Sequence, residues 1–359
     1  MDPSRVRCRP SKLLAPCAFL AACQGAPLGP SSAQARLEIA NPEHRTLRLS
    51  VVEGDTVRPL VELGAAATHR LVVVPGAYVV HAKHAHGEIA FPAPLLPNAL
   101  PADATLRLVV NVSPPTVDDA AFAFVPAGPA VVGDTLGIGQ EDERPARVVD
   151  VPAFWLAKHE VTNGEFATFL NGVEGGLDAV WCAFDSKKFR CQLGTDGRWT
   201  SDAPQLPVVT VSLAGARAFC SWRSRVTGVP HRLPREVEWE KAARGPASFV
   251  FAYGNVYRRD AANQESGTLR EVGSFAANGY GLFDMTGNAF EWTADVYRDP
   301  SAAGKPTQGG THVLRGGSFV LDGMYLRNSF RMRQWPDVRT DDIGFRVARD
   351  LSDTGSSDR

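Results

Sequence analysis

The most informative stretch of the chain is "RGGSFVLDGMYLRNSFRMR", residues 315–333. Two adjacent glycines, Gly316 and Gly317, stand between a basic residue and a serine, and further arginines follow them. Glycine is used where a backbone must turn sharply or pass close to another part of the protein. The side chains that follow include Leu321 and Leu326, which offer no polar chemistry. The pattern predicts a tightly turned segment that forms the floor of a groove.

A secretory signal is predicted at the amino terminus. Residues 1–12 are basic, and residues 13–22, "LLAPCAFLAA", form a short apolar run. A charged start, a short apolar run and small residues before a cleavage site are typical of such a signal. The run ends at Cys23 in "LAAC", which resembles the lipobox of bacterial lipoproteins, whose cysteine becomes the lipidated first residue. A plain signal cleaved elsewhere, or a misassigned start codon, is the alternative.

This resemblance predicts where the protein is located. Gln24 follows the cysteine, whereas an aspartate there usually implies retention in the inner membrane. We therefore expect an exported lipoprotein of the cell envelope that is anchored to a membrane, the outer membrane if the cell is Gram-negative. The formal net charge of −1 argues against a nucleic-acid partner, which would require a basic surface.

The chain of 359 residues is long for a single core, and its composition divides it into segments. Residues past 30 contain no apolar run long enough to span a bilayer. The predicted segments are a signal peptide with lipobox at 1–23, a linker at 24–35, a small β-sandwich domain at 36–113, a linker at 114–120, a larger domain at 121–350 and a disordered tail at 351–359.

Short β-branched runs separated by turn residues predict the sandwich. Among them, "VVVPGAYVVHA" (72–82) looks like a hairpin. His81, His84 and His86 cluster there, and alternation places His84 and His86 on one strand face. A metal site is conceivable, but no carboxylate or cysteine completes it, and a solvated strand face is the alternative.

The larger domain contains signals for short helices. Thr162 and Glu165 form a capping box, T-x-x-E, and Ser212 caps a second helix. A third helix is predicted to begin near Arg235 and to end at Gly245. Cys220 falls on the buried stripe of the second helix, where a thiol behaves as a small hydrophobe.

Two other cysteines predict a disulfide. Cys182 and Cys191 flank the polar loop "AFDSKKFR", which suits a local bridge in a secreted protein. A metal pair is the alternative, but Cys8, Cys17 and Cys23 belong to the predicted signal segment, so no second pair of cysteines is left to complete a tetrahedral site.

Seven sequence blocks occur in an order that resembles one family. They are "FVPAGPAVVG", "KHEVTNGEF", "PVVTVSLAGARAFCSWRSRVTG", "RLPREVEWEKAARG", "NGYGLFDMTGNAFEWTAD", "VLRGGSF" and "GFRVARD". Together, over residues 121–350, they resemble the domain of the formylglycine-generating, sulfatase-modifying enzymes. The resemblance implies an α+β, variant C-type-lectin-like fold with little regular secondary structure and stabilising calcium ions.

The same resemblance implies an activity that this chain has lost the residues for. Members oxidise a substrate-peptide cysteine to formylglycine, using oxygen and a copper ion held by two cysteines. These cysteines are the third and eighth residues after the Gly-Gly-Ser serine, and here those positions are Leu321 and Leu326. Leucine has no lone pair to offer soft Cu(I), so copper is not expected.

Three hypotheses about function follow. The preferred one is a lipid-anchored scaffold that binds a peptide, a glycan or an envelope protein. The second is a metal-dependent oxidoreductase, using non-haem iron or another residue set, as in the related sulfoxide synthases or in relatives linked to siderophore maturation. The third is an active formylglycine-generating oxidase.

The resemblance also implies calcium as a structural cofactor. In "DMTGNAFE" it assigns Asp284, the carbonyls of Gly287 and Ala289, and Glu291 as ligands, and Asn263 matches the start of the family's other calcium site. Closely spaced oxygen donors on a glycine-containing turn suit Ca²⁺. A turn held only by side chain to backbone hydrogen bonds is the alternative for the first site.

Four polar residues are candidates for the groove itself: Ser318, Tyr325, Arg327 and Arg331. The arginines could bind an acidic or peptide ligand through bidentate bonds. Alternatively, they are partly buried and bond the carbonyls of a loop-rich fold.

One further pair stands next to a helix start. His159 and Glu160 precede the capping box. Acid-base chemistry is conceivable for this pair, but we interpret it as fixing the helix cap.

Overall fold

The computed structural model describes residues 34–84, 87–96, 99, 105–110, 120–173, 178–299 and 310–351. The signal segment with Cys23, nearly all of both linkers and the tail after residue 351 lie outside these ranges. The histidine pair on one strand face is also outside the described side chains. These assignments therefore stay predictions.

The described residues before position 111 form a β-sandwich. Its strands are β1 (Ala35–Ala40), β2 (Leu47–Glu53), β3 (Thr56–Leu63), β4 (Thr68–Val73), β5 (Gly76–His84), β6 (Gly87–Leu95) and β7 (Thr105–Val109). They make two sheets, of order β4-β1-β7 and β3-β2-β5-β6. Alternate side chains of both sheets, among them Leu37, Leu49 and Phe91, share one apolar core. The predicted all-β sandwich is confirmed.

The predicted hairpin at 72–82 is wrong, because its two arms belong to different sheets. β4 pairs with β1, where Leu71 lies opposite Leu37. β5 pairs with β2 and β6, and Val80 lies opposite Leu49. The Pro-Gly turn therefore carries the chain from one sheet to the other. The turn residues indicate a change of direction, but long-range packing decides which strand each arm joins.

The larger unit contains short strands and three helices within the described ranges. The strands are β8 (Phe122–Val125), β9 (Gly128–Val132), β10 (Arg147–Val151), β11 (Phe154–Ala157), β12 (Cys191–Leu193), β13 (Trp199–Ser201), β14 (Phe290–Val296), β15 (His312–Arg315), β16 (Met332–Gln334), β17 (Ile343–Gly344) and β18 (Ala348–Asp350). The helices are α1 (Asn163–Asn171), α2 (Leu213–Thr227) and α3 (Glu236–Arg244). The largest sheet has the order β16-β15-β14-β17. Most of the other described residues of this unit are in loops, in agreement with the predicted low content of regular secondary structure.

The three predicted helices begin and end where their capping residues place them. The Thr162 side chain accepts from the Glu165 backbone N–H, and the Glu165 carboxylate accepts from Thr162 N–H at 3.0 Å. Ser212 caps α2, and Gly245 ends α3 with a positive φ of 63°. In the described part of the chain, no helix combines the length and apolar character needed to cross a bilayer.

A turn of the sandwich touches the larger unit directly. The Asp55 carboxylate, between β2 and β3, accepts from the backbone N–H of Asn255 at 2.5 Å and of Val256 at 3.2 Å. The Asn255 amide donates back to the Gly54 carbonyl at 2.7 Å. A side chain at Gly254 would collide with Asp55, since a Cβ there would lie 2.6 Å from its carboxylate. This loop of the larger unit is therefore shaped by the sandwich.

Candidate functional site: a filled metal pocket and a buried acidic cluster

The double glycine turns the chain immediately after β15. Gly316 and Gly317 have φ values of +96° and +73°, which other residues adopt at a cost. A Cβ on Gly317 would lie 2.3 Å from Leu326 Cδ2, and one on Gly316 would lie 3.2 Å from the Trp239 ring. The chain thus passes directly against Leu326, and the groove above it stays a prediction.

Leu326 and Leu321 fill the place where the motif would put two thiols. Leu326 is fully buried and packs with Val250 and Phe251, while Leu321 and two tyrosines cover the same cluster. These groups are aliphatic or aromatic and cannot coordinate Cu(I). The residues present therefore do not fit a copper ion.

Ser318 has a polar partner but no access to solvent. Its hydroxyl donates to the Asp342 carboxylate at 3.2 Å, and Thr340 donates to the other oxygen of that carboxylate at 2.8 Å. Burial raises the pKa of Asp342 above its ordinary value. Ser318 is fully buried, so a substrate cannot approach its oxygen.

Exposed apolar side chains lie on the segment next to the leucine cluster. Val320, Met324 and Tyr325, on the segment between the glycines and Leu326, are exposed by 53%, 37% and 37%. We call residues 319–326 the rim loop. Its 3₁₀ turn begins at Asp322, whose carboxylate accepts from Met324 N–H at 3.3 Å. Of the four groove candidates, only Tyr325 reaches the surface of this loop.

Arg327 and Arg331, which were groove candidates with a buried structural role as the alternative, take the structural role. The Arg327 guanidinium donates to both carboxylate oxygens of Glu143, at 2.5 and 2.8 Å, and the residue is 1% exposed. Arg331 donates to both oxygens of Glu236 at 2.5 and 3.1 Å and lies 4.7 Å from the Tyr297 ring centroid. Bidentate pairs of this kind tie loops together inside the protein.

The Asp284 turn is held in a conformation that favours glycine and asparagine. Asp284, Gly287 and Asn288 have φ values of +54°, +81° and +61°. A Cβ on Gly287 would lie 2.3 Å from the Asn263 carbonyl oxygen, so this close approach requires glycine. The Asn263 side chain donates to Asn288 Oδ1 at 2.9 Å and accepts from Ser266 at 2.6 Å. Asn263 thus contacts the same turn through hydrogen bonds.

Glu291 is already paired. Arg346 donates to each of its carboxylate oxygens at 2.7 Å, and Trp239 Nε1 donates to one of them at 2.7 Å. All three side chains are fully buried. Arg346 also donates to the Phe283 carbonyl at 2.9 Å, so it links β14 to the segment before Asp284.

Glu160 makes a contact that the sequence interpretation missed. Thr162 and Glu165 close the helix cap by themselves, so Glu160 does not fix it as we expected. Instead its Oε1 accepts from Asn288 at 3.0 Å, and its Oε2 is buried without a hydrogen-bond partner. Burial raises the pKa of Glu160 well above its ordinary value, and the negative charge of Asp284 raises it further. No local pattern distinguishes this glutamate from a capping residue.

Calcium at this turn stays a prediction, for which the cluster offers hard oxygen donors. Asp284 is also buried, which raises its pKa, and one oxygen accepts from Gly273 N–H at 2.6 Å. Within the described ranges, no three His, Cys, Asp or Glu side chains form a metal site by themselves. A cation here would therefore need carbonyl oxygens as well, as Ca²⁺ commonly does.

The predicted disulfide is not present in the structure, where Cys182, Cys191 and Cys220 are free buried thiols. The Cys191 thiol donates to the Asn163 carbonyl at 3.3 Å. Burial raises the pKa of Cys191 and of Cys220 to about 12, so neither is a ready thiolate. All three belong to the aromatic core around α1 and α2 rather than to the leucine cluster.

Together, the fold and these contacts define a loop-rich α+β protein with leucine at both positions where the resemblance implies a thiol. The family model described as "Sulfatase-modifying factor enzyme 1-like domain" matches residues 110–351. This match covers more than half of the chain. The protein belongs to this family.

Its relatives include both active and inactive members by name. The "Inactive C-alpha-formylglycine-generating enzyme 2" of Mus musculus is 32% identical over 277 residues, which are 64% of this chain and 86% of that protein. The "Formylglycine-generating enzyme" of Bos taurus is 31% identical over 300 residues, which are 68% and 77% of the two chains. The structure of PvdO from Pseudomonas aeruginosa matches with a TM-score of 0.53 and 30% identity, over 64% of this chain and 94% of that chain.

Proposed function

We propose that this protein is a non-oxidising member of its family that binds a polypeptide partner on the rim loop above Leu321 and Leu326. The observation that carries this proposal is the complete burial of Leu326 in an apolar cluster at the position of a motif thiol. A copper enzyme requires soft donors at both positions, and two leucines provide none. The remaining thiols of the described residues lie in a different core cluster.

Two features support a binding role. The rim loop presents three exposed apolar side chains, and exposed apolar patches are typical of protein interaction sites. The loop is also held from below by the double glycine and by the Arg327–Glu143 pair, so its shape is fixed before any partner arrives. A polypeptide is the partner class we favour, since the family resemblance implies a peptide substrate on this side of the domain.

An oxidation assay with an engineered control tests the loss of activity. The wild-type protein and the double variant Leu321→Cys/Leu326→Cys are loaded with Cu(I), and a sulfatase-derived cysteine peptide is followed by mass spectrometry. We expect the wild type to bind no stoichiometric copper and to leave the peptide unchanged, whereas the double variant binds one Cu(I). The variant Leu321→Ser/Leu326→Ser removes the same bulk without soft ligands and should bind none. Peptide oxidation by the wild type would overturn the proposal.

A direct binding measurement tests the rim loop. The probe is the same peptide with its cysteine replaced by serine, labelled and titrated by fluorescence anisotropy. We expect saturable binding that is weakened by Tyr325→Ala, while Val226→Ala, an exposed apolar position on α2, leaves it unchanged. Equal binding by wild type and Tyr325→Ala would contradict a site on the rim loop.

The alternative function is an iron-dependent or other metal-dependent oxidoreductase. It would require several nitrogen, oxygen or sulfur donors around the leucine cluster, where the hydroxyls of Tyr253 and Tyr257 are the polar groups of an otherwise apolar set of side chains. Metal analysis of the purified protein separates the two functions. Stoichiometric iron or copper together with oxygen uptake would support the oxidoreductase, whereas calcium alone would support the binding protein.

We also infer from the amino-terminal sequence that the protein is exported and lipidated at Cys23. Growth with an alkyne-labelled fatty acid should label the wild type and Cys17→Ser but not Cys23→Ser. Labelling that survives Cys23→Ser would contradict this inference.

A further inference from the structure

A second pocket of the larger unit combines aromatic rings with charged side chains. It has a volume of about 500 Å³ and lies between residues 184–190 and the hairpin of β12 and β13. Two half-buried rings, Phe184 and Trp199, line it with their centroids 5.6 Å apart. The buried Phe189 ring contacts both of them, at 5.5 and 6.5 Å. A pocket of this size accommodates a small organic ligand.

Trp199 is held in place by the backbone and by a neighbouring helix. The Asn171 side chain, at the end of α1, donates to the Trp199 carbonyl and accepts from the Trp199 backbone N–H, both at 2.8 Å. Across the hairpin, Trp199 lies opposite Leu193. Because these contacts fix the residue before any ligand arrives, binding on its ring costs little conformational entropy.

Polar side chains with unused donors surround the two rings. Arg190 donates from Nε and Nη2 to the Asp202 carboxylate at 2.9 and 2.6 Å, and its Nη1 donates to no described residue. The Ser186 hydroxyl oxygen accepts from the Lys188 backbone N–H at 3.2 Å, so its own proton remains available. The exposed Gln192 side chain also lines the pocket. A ligand with several hydroxyl groups would find hydrogen-bond partners here.

The pocket also carries a positive charge that the described residues do not balance. Asp202 neutralises Arg190, and the Asp341 carboxylate lies 3.7 Å from the Lys188 ammonium. Lys187 lines the pocket and forms an ion pair with no described carboxylate. A negatively charged group on the ligand would therefore be attracted to this side of the pocket.

We propose that this pocket binds an acidic saccharide, with one sugar ring on Trp199 and a carboxylate near Lys187. The C–H groups on one face of a pyranose ring are slightly positive and pack against the negative face of an aromatic ring. The sugar hydroxyls then meet the polar side chains that surround the two rings. None of the lining residues belongs to the rim loop, so this proposal does not rest on the proposed function.

Titrations with defined oligosaccharides test this site. The purified full-length protein is titrated by calorimetry with trigalacturonate, with a hyaluronan tetrasaccharide and with neutral maltotriose. We expect saturable binding of at least one acidic probe, and about tenfold weaker binding of that probe by Trp199→Ala. Lys187→Gln should weaken the same probe several-fold and reduce the salt dependence of its affinity. Lys83→Gln, which makes the same charge change on the sandwich, should leave both quantities unchanged.

Controls separate stacking from charge and from general surface effects. Trp335→Ala removes an exposed tryptophan that does not line the pocket, and it should bind the acidic probe like the wild type. Capped triglutamate carries the same number of carboxylates as trigalacturonate but no sugar ring, and we expect it to bind much more weakly.

Other results would overturn the proposal. Failure of the wild type to bind either acidic probe would contradict the site, as would equally tight binding of triglutamate or maltotriose. Should Trp199→Ala not fold, the exposed variant Gln192→Ala is measured together with Lys187→Gln. Wild-type affinity in both of these variants would also show that the saccharide binds elsewhere.

Discussion

At the scale of single residues, Gly317 illustrates why the rim loop tolerates no side chain at its base. Its φ is +73°, and a Cβ would lie 2.3 Å from Leu326 Cδ2 and 2.9 Å from the Tyr325 carbonyl oxygen. Two costs therefore add at this position, the left-handed backbone and the clash with a buried leucine. Gly281 has a similar φ of +78° and no neighbouring atom within 4 Å, so it pays only the first cost.

This comparison gives a prediction about stability. Gly281→Ala should lower the free energy of unfolding by about 1 kcal/mol, the cost of left-handed backbone for alanine. Gly317→Ala should lower it by about 3 kcal/mol, since overpacking adds about 1–3 kcal/mol. Urea denaturation of both variants measures the difference. Equal losses would mean that the rim loop shifts freely and does not rest on Leu326.

Lys241 gives a pH-dependent prediction. Its ammonium nitrogen lies in the interior of the larger unit and donates to the carbonyls of Pro126 and Gly128 at 2.6 and 2.9 Å. Burial lowers the pKa of Lys241 to about 7, well below its value of about 10.4 in an unfolded chain. Between these two values the unfolded state binds more protons than the folded state, so stability rises with pH.

We therefore expect the wild type to gain stability between pH 7 and pH 9 relative to Lys241→Met. The gain should reach at most about 1.4 kcal/mol per pH unit. Urea unfolding at several pH values measures it, and the difference between the two proteins removes the contribution of every other group. Parallel pH profiles would show that Lys241 stays charged in the folded protein.

At the scale of elements, buried ion pairs replace regular secondary structure as the links between loops. Arg327, directly after the rim loop, pairs with Glu143 in the 3₁₀ turn Glu141–Glu143, far away in sequence. Both side chains are almost completely buried, so removing one partner leaves a charge without compensation. The neighbouring Gly139 N–H is used by Asp134 at 2.6 Å, which shapes the loop before this turn.

A double-mutant cycle tests the link. Arg327→Met alone and Glu143→Gln alone should each cost about 3–5 kcal/mol, while the double variant should cost clearly less than their sum, because no unpaired charge remains. The exposed pair Arg190–Asp202 is the control, and its coupling should not exceed about 1 kcal/mol. Additive losses at Arg327 and Glu143 would contradict a strong coupling between the two loops.

The predictability of the elements follows from the range of the interactions involved. The three helices could be predicted because their caps lie within four residues of the turns that they satisfy, as Thr162 and Glu165 do. The pairing of β4 and β5 with different sheets could not, since both arms have strand-like sequences and only packing distinguishes their partners. Likewise, the buried ion pairs of Arg327 and Arg331 could not be predicted, because their carboxylate partners are distant in the sequence.

At the scale of the whole molecule, the β-sandwich and the larger unit meet at the loop that covers Leu326. Asp55 accepts from Asn255 and Val256, and the neighbouring residues Phe251 and Tyr257 belong to the leucine cluster. A substitution at Asp55 would therefore act on residues that lie next to the leucine cluster. The contact also makes the two units share part of their stability.

Asp55→Ala should weaken one of the contacts between the two units, since Phe124 and Val148 of the larger unit also pack against the sandwich core. We expect it to cost about 1 kcal/mol, because two exposed backbone N–H groups exchange their acceptor for water, and to broaden the thermal unfolding transition. Differential scanning calorimetry measures both effects. Glu53→Ala removes a surface partner of Arg58 on the neighbouring strand end and should leave a single transition. A sharp, unshifted transition in Asp55→Ala would show that the contact contributes nothing to cooperativity.

The sequence by itself determined the family, the helix caps and the replacement of both motif thiols by leucine, because residue identity and short-range spacing carry that information. The tertiary structure decided which strands pair, which carboxylate receives each arginine, and that Glu160 approaches the Asp284 turn. These contacts join residues distant in the chain. Their geometry depends on packing, and nothing in the local sequence encodes it.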